Sequence, residues 1–391
     1  MVDAGALQVA DGMMFSGTCR NAWLVLLGGL TQAIGTPAGS YALIADAGST
    51  GTRMYLFHAV EDEKGTEKIE ISSVGKGPAL SSFVDHPTDA AWAVRDQIHK
   101  AMVMIPEGLH STVPVSVFAT AGMRLLDQAK AERIYENLKQ RLLDESFPFD
   151  RNSFQARTIS GREEGVFAFV AANYLSHRIG SDLKVLSEAL MGVLDLGGSS
   201  TQIAVPPPVS VGDHLAAKLG ERHMYAQSFL SFGMERMRQL TYRQIVNHAH
   251  WSQRSKSAAS NPCAFSGLDD QEQFYWRGTG DAVRCGKAIE DVLKSETQDC
   301  KKAEERTHRS LDCLPMSLVK SAQPVVASGV PRFFLISGYI FVTDFARWWL
   351  EHPGALPAHM AGHRGAEETA VETLKKLADK ATYASPSISD L

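Results

Sequence analysis

Asp46-Ala47-Gly48-Ser49-Thr50-Gly51-Thr52 stands between two apolar runs, Tyr41 to Ala45 and Met54 to Val60. A short apolar strand, a polar glycine turn and a second apolar strand predict a β-hairpin with a Gly/Ser/Thr tip. The same grammar returns in Met191 to Leu194, Asp195-Leu196-Gly197-Gly198-Ser199-Ser200-Thr201, and Gln202 to Val205. Two similar hairpins about 150 residues apart imply two related halves, each offering its loop to a shared cleft.

The intervening chain alternates strand and helix. Val113 to Ala119 reads as a strand, and Gln128 to Leu143 as a helix with Ile134, Leu138 and Leu142 on one face. That alternation predicts an α/β fold. After Glu163-Glu164-Gly165, the residues Val166, Phe167, Val170 and Tyr174 recur at helical spacing, which puts both carboxylates at a helix start. Pro206-Pro207-Pro208 closes the second hairpin. Trp251 to Asp312 is polar and cysteine-bearing and is expected to be an irregular insertion. Arg332 to Ser337 then reads as a strand, followed by a helix through Trp349, and Glu367 to Lys380 as a charged amphipathic helix before a frayed end.

With 391 residues, 44% hydrophobic and 21% charged, the chain is of the ordinary globular class and long enough for roughly two domains. A formal charge of −5 offers no basic excess for a nucleic-acid backbone, so nucleic acid is excluded as the expected partner. Ala22 to Leu30 follows Arg20 and runs toward Ala33-Ile34-Gly35, the pattern of a signal peptide and its cleavage site. The run is too short for a bilayer span of roughly 20 residues, and no other segment qualifies. A secreted or extracytoplasmic location is expected. Beyond that region Cys263, Cys285, Cys300 and Cys313 cluster in one stretch. An even, clustered count in a secreted chain favours disulfides, in any of three connectivities, over buried free thiols. A zinc site is disfavoured by the lack of a CxxC pair and of histidine at finger spacing. The thirteen histidines show no metal-ligand spacing tied to the hairpins.

The two tips suit a polyphosphate, because glycine and small hydroxyl residues let backbone N–H donors approach closely. Each loop opens with an aspartate, Asp46 or Asp195, at a strand end, and Mg²⁺ or Ca²⁺ takes such hard oxygen ligands, often through water. One such loop is an ordinary structural turn. The matched pair is not.

Asp46 to Arg53 (DAGSTGTR), Ala119 to Arg124 (ATAGMR), Ser160 to Tyr174 (SGREEGVFAFVAANY) and Asp195 to Gln202 (DLGGSSTQ) resemble, in order and spacing, four signature motifs of the nucleoside triphosphate diphosphohydrolases, or apyrases. Phe333 to Phe345 keeps the outline of the fifth, aromatic motif with an altered centre. The resemblance covers about residues 41 to 350. It implies an actin-like (ribonuclease H-like) duplicated two-domain α/β fold with an interdomain active-site cleft. A leader over 1–40 would precede domain I at 41–157. Domain II would follow at 158–350 with the insertion at 251–313, and a C-terminal helix at 351–391.

The resemblance also implies stepwise hydrolysis of nucleoside tri- and diphosphates. Glu164 would be the general base, with Ser200 and Gln202 positioning the attacking water. Gly48, Ser49, Thr50, Gly51, Thr52, Thr120, Gly197, Gly198 and Ser199 would hold phosphate. Asp46 and Asp195 would hold Mg²⁺ or Ca²⁺ through water, and Tyr339 or Phe341 would stack on the base. Pairing in similar family members implies disulfides Cys263–Cys285 and Cys300–Cys313. Arg124 is either a phosphate contact or the partner of a domain carboxylate. Met234 stands where animal members often carry a basic residue, with Arg236 a possible substitute. The family's return to the first domain is not recognisable after residue 350; either Glu367 to Lys380 supplies a shortened return or the chain is truncated. Two rival readings remain: an exopolyphosphatase or guanosine-polyphosphate phosphatase, and a non-hydrolysing nucleotide-binding protein of actin type. The ending Ser200-Thr201-Gln202 weighs against the first, and Glu164 weighs against the second.

Overall fold

β1 (Tyr41–Gly48) and β2 (Gly51–Glu61) pair antiparallel from Tyr41 opposite His58 to Gly48 opposite Gly51, leaving Ser49 and Thr50 as the tip. The computed structural model describes residues 39–61, 67–187, 189–220, 223–253, 258–270, 275–307, 313 and 332–341. β3 (Glu67–Gly77) continues the meander, and β4 (Val115–Ala119) and β5 (Gln155–Thr158) add in parallel on the other side of β1. The resulting order is β3-β2-β1-β4-β5.

The second sheet repeats this plan. β6 (Gly192–Leu196), β7 (Ser200–Ala204) and β8 (Ala226–Leu230) form the antiparallel meander, and the strand Phe333–Ser337 lies parallel to β6 as β4 lies to β1. In register, Asp46 faces Arg53 and Asp195 faces Gln202. The duplication expected from the two hairpins is therefore a duplication of strand order.

Both faces of the first sheet are covered. Alternation along β1 sends Leu43, Ala45 and Ala47 to a core with Val94 and Ile98 of α1 (Ala90–Met102) and with Ile134 and Leu138 of α3 (Gln128–Leu142). Between them lies α2 (Ala121–Arg124), a single turn. Ala42 and Ile44 face the opposite core, built on α4 (Gly161–Leu175), whose Val166, Phe169 and Val170 also meet Val193, Ala204 and Ile336 of the second sheet. Burying a side chain such as Phe169 contributes roughly 1.5–3 kcal/mol, so this shared helix binds the two sheets firmly.

The chain divides into two compact units, one containing both sheets up to Gly233 together with 332–339, and a second from Met234 onward with 340–341. The second unit corrects the expectation of an irregular insertion. It holds α5 (Met234–Gln253), a small sheet of β9 (Ala259–Asn261), β10 (Asp269–Asp270) and β11 (Trp276–Gly278), and α6 (Ala282–Thr307). Many charged residues of α6 are solvent-facing and linked by pairs such as Lys287–Asp291 and Lys294–Glu290, so a polar composition here marks an exposed helix rather than a loop. Disulfides Cys263–Cys285 and Cys300–Cys313 each fasten one end of α6 to a neighbouring segment. β12 (Phe333–Ser337) leads into a helical turn at 338–341. The expected leader, the rest of the helix toward Trp349 and the helix at 367–380 lie outside the described residues. Among the described residues no helix is long and apolar enough to cross a membrane.

Candidate active site

The first turn of α4 separates its two adjacent glutamates. Ser160 caps the helix by accepting from the Glu163 N–H, and Glu163 Oε2 accepts from the Ser160 N–H at 2.8 Å, a complete capping box. Glu163 Oε1 pairs with Arg157 at 2.9 Å, and these partners hold its carboxyl below the usual range against the opposing effect of partial burial. Glu164, one residue on, turns inward and is 5% exposed.

Around Glu164 the chain assembles four further polar groups. Arg124 Nη2, from the end of α2, donates to Glu164 Oε2 at 2.5 Å and to Ser200 Oγ at 3.1 Å. Gln202 Nε2 lies 2.9 Å from Glu164 Oε2, 2.6 Å from Ser200 Oγ and 2.9 Å from Ser228 Oγ. One amide NH₂ has two hydrogens, so these three acceptors compete for it. Ser228 packs so closely against α4 that a Cβ on Gly161 would lie 2.3 Å from its own Cβ, which makes glycine obligatory there.

Asp46 and Asp195 lie at the ends of β1 and β6, each 4% exposed. Burial pushes the Asp46 carboxyl up to about 7; Arg53 pulls it down, while the charges of Glu164 and Asp195 add to the rise. Burial likewise pushes Asp195 up to about 7, opposed by a hydrogen bond from Ser337 and reinforced by Glu164. Three carboxylates thus share one electrostatic environment. Asp46 Oδ1, Asp195 Oδ1 and Gln202 Oε1 are buried with no hydrogen-bond partner among the described residues. Each such orphan costs about 1–3 kcal/mol, and their concentration here marks a site built for something other than stability. Paired oxygens of this kind suit a hard divalent cation with its water shell. Among the described residues no group of three or more His, Cys, Asp and Glu side chains is arranged to hold a metal directly.

The two hairpin tips meet. A Cβ on Gly198 would lie 2.5 Å from Ser49 Oγ and 3.0 Å from Thr50 Cγ2, and one on Gly122 would lie 3.0 Å from Ser49 Cα. Glycine permits both approaches. Gly48, Ser49, Gly197, Gly198 and Ser199 are partly exposed, and the Gly197 N–H closes the second tip onto Ser200 O at 2.9 Å. Thr50 is exposed, Gly51 is buried, and Thr120 is buried beside the first tip with its N–H on Ala47 O.

Other expected residues lie elsewhere. Thr52 is fully buried and its hydroxyl donates to Pro78 O at 2.7 Å, which commits it to the frame of the hairpin. Tyr339 is half-buried; burial, and then the charge of nearby Asp195, raises its phenol pKa. Phe341 is 54% exposed and belongs to the second unit. Sequence reasoning missed Ser228 and Ser337. Ser228 opens the stretch Ser228 to Gly233, which resembles a landmark of the same family, but that resemblance gives the serine no role. Ser337 has φ 56°, and its only trace is the Ser337-Gly338 pair at a strand end.

Two sheets of one strand order, each presenting an aspartate-opened glycine hairpin, define an actin-like duplicated fold. Within that class the chain belongs to the GDA1/CD39 (nucleoside phosphatase) family, whose profile matches residues 35–311. It is 30% identical to the guanosine-diphosphatase of Schizosaccharomyces pombe over 54% of this chain and 39% of that protein. It is 26% identical to ectonucleoside triphosphate diphosphohydrolase 8 of Bos taurus over 71% of this chain and 62% of that one. The matched regions thus span less than two thirds of these relatives. Among solved structures, a nucleoside triphosphate hydrolase from Neospora caninum aligns with TM-score 0.39 at 18% identity, covering 85% of this chain and 69% of that one.

Proposed function

We propose that the protein hydrolyses the terminal phosphates of nucleoside tri- and diphosphates, with a divalent cation and with Glu164 as the base. The observation that carries this reading is the convergence of Glu164, Ser200 and Gln202 in one hydrogen-bonded group beside the buried pair Asp46 and Asp195. Phosphoryl transfer asks a protein mainly for positioning and charge neutralisation, and these groups supply both.

Glu164 would accept the proton of a water that Ser200 and Gln202 orient toward the terminal phosphorus. The backbone N–H groups of the tips at 48–51 and 197–199 would hold the phosphate oxygens, and Thr120 would lie close by. Asp46 and Asp195 would hold Mg²⁺ or Ca²⁺ through water, and the cation would offset the negative charge of the phosphate chain. Tyr339, whose ring stands near Asp195, would border the phosphate end of the substrate.

The disulfides on α6 and the names of the relatives support work in an oxidising, extracytoplasmic compartment. Non-reducing peptide mapping of the natively produced protein that found four free thiols would overturn that assignment.

Phosphate release from ATP, ADP, GDP, AMP and polyphosphate, each with Mg²⁺, Ca²⁺ or EDTA, tests the function. Turnover of nucleoside tri- and diphosphates, but not of AMP or polyphosphate, and its loss in EDTA, is the expected result. Turnover of polyphosphate alone would replace the reading with an exopolyphosphatase, and nucleotide binding without release would replace it with a binder.

A further inference from the structure

We propose that Arg124 is a positioning residue that acts through Glu164 and Ser200, rather than a ligand of the phosphate; this rests on the reading of Glu164 as the base. Its side chain is 14% exposed and that of Glu164 is 6% exposed, so the pair is largely withdrawn from water. Nη2 donates to Glu164 Oε2 and Ser200 Oγ, and Nη1 donates to Ile159 O at 3.2 Å. These acceptors come from three segments: the approach to α4, α4 itself and β7. Arg124 in turn follows β4 of the first sheet. A planar guanidinium held at three points is a fixed fork, and it sets the carboxylate, the serine and the β4–α2 turn in one mutual geometry.

The bond pattern has a chemical consequence. The donors from Arg124 and Gln202 both fall on Oε2 of Glu164, and among the described residues no donor falls on Oε1. Oε2 is thereby the anchored oxygen, and Oε1 is the one that takes the proton of the attacking water. Glu164 also stands close enough to Asp46 and Asp195 to raise both. Were Arg124 to leave for a phosphate, Glu164 would remain buried beside two other carboxylates without its counter-charge, a costly arrangement. The guanidinium therefore stays with Glu164 while substrate turns over.

Steady-state phosphate release and nucleotide-binding isotherms for Arg124→Ala and Arg124→Lys, alone and combined with Glu164→Gln, test the assignment. Arg124→Ala is expected to lower kcat about 10²-fold while KM stays within about threefold, since it disables the base without removing substrate contacts. Guanidinium ion at millimolar concentration should restore part of that kcat. Arg124→Lys should stay at least about tenfold down, because an ammonium cannot reproduce the fork; it carries the test by itself should the alanine variant fail to fold. Adding Arg124→Ala to Glu164→Gln should cost nothing more, as expected of residues acting as one unit. A raised KM with unchanged kcat, or losses that add in the double variant, would overturn the proposal in favour of direct phosphate contact. An active parent with Arg124→Ala or Arg124→Lys equally active would overturn it alone, whereas a parent that releases no phosphate would overturn the functional reading as well.

Discussion

In the hairpin of β1 and β2 Asp46 faces Arg53 across the ladder, whereas in that of β6 and β7 Asp195 faces Gln202. The residue after each aspartate faces a threonine, Thr52 or Thr201. Both hydroxyls do the same work, donating to Pro78 O just past β3 at 2.7 Å and to Phe232 O just past β8 at 2.6 Å. The frame is thus repeated down to a side-chain hydrogen bond, while the groups bearing on Glu164 are not. Gly51 and Arg53 of the first hairpin are replaced by Ser200 and Gln202 in the second, and Ser200 and Gln202 are bonded into the Glu164 network. Duplication supplied two glycine loops on one frame, and on the proposed function divergence at two positions would give the second its water-handling role.

The sharpest way to break this division is at Glu164. Glu164→Gln should lower kcat by about 10²–10⁴-fold, the usual share of a general base, with nucleotide affinity kept. Glu163→Gln is the control, since Glu163 is engaged by its capping box and Arg157 and should cost at most about 1 kcal/mol of stability. Phosphate release and a binding isotherm read both; equal, mild effects would reduce Glu164 to a helix-end charge. The aspartates test the symmetric half of the comparison. Asp46→Ala and Asp195→Ala should each cut metal-dependent turnover by up to about 10²-fold, the range for outer-sphere supports of a metal, and should weaken Mg²⁺ activation alike. A variant that kept parental activity and the same metal titration would remove that aspartate from the pair.

Much of this site was legible because its parts are local. The hairpins, the strand read over 113–119 and the helix opening at Glu163-Glu164 announce themselves through apolar period and glycine turns. The residues between Trp251 and Asp312 did not, because α6 is so polar that its helical face competes with the composition of a loop. Arg124 was legible as a residue with two possible partners, and only the fold could choose, since its acceptors lie 35, 40 and 76 positions along the chain. Ser228 and Ser337 gained no role from the sequence because the group each bonds to, Gln202 or Asp195, lies far along the chain. Thr52 was read with the phosphate loop for the opposite reason: its motif is local, but the acceptor that claims its hydroxyl, Pro78 O, is not.

A smaller effect is expected where the hairpins diverge. Ser200→Gly gives the second loop the residue type that Gly51 supplies in the first, and it removes one of the groups around the water while leaving Glu164 and Gln202 in place. A loss of about tenfold in kcat, near 1.4 kcal/mol of barrier, is expected in a phosphate-release assay, with KM little changed. A loss as large as that of Glu164→Gln would mean that the serine does more than orient water.

The smallest effects should come from the two threonines, and they decide whether the frame is symmetric in energy as well as in geometry. Thr52→Val and Thr201→Val are nearly isosteric and remove only the hydroxyl, leaving Pro78 O or Phe232 O without its donor. The expected cost is about 1–3 kcal/mol each, the penalty of an unpaired buried polar group. For a unit of roughly 200 residues each kcal/mol should lower the thermal midpoint by about 2–4 °C. Phosphate release per folded molecule should stay near parental in both, because neither hydroxyl bonds to the Glu164 network. Scanning calorimetry and a phosphate-release assay on the same samples read the two quantities independently. If Thr52→Val cost turnover while Thr201→Val cost only stability, the first threonine would contact phosphate after all, and the hairpins would differ at a third position.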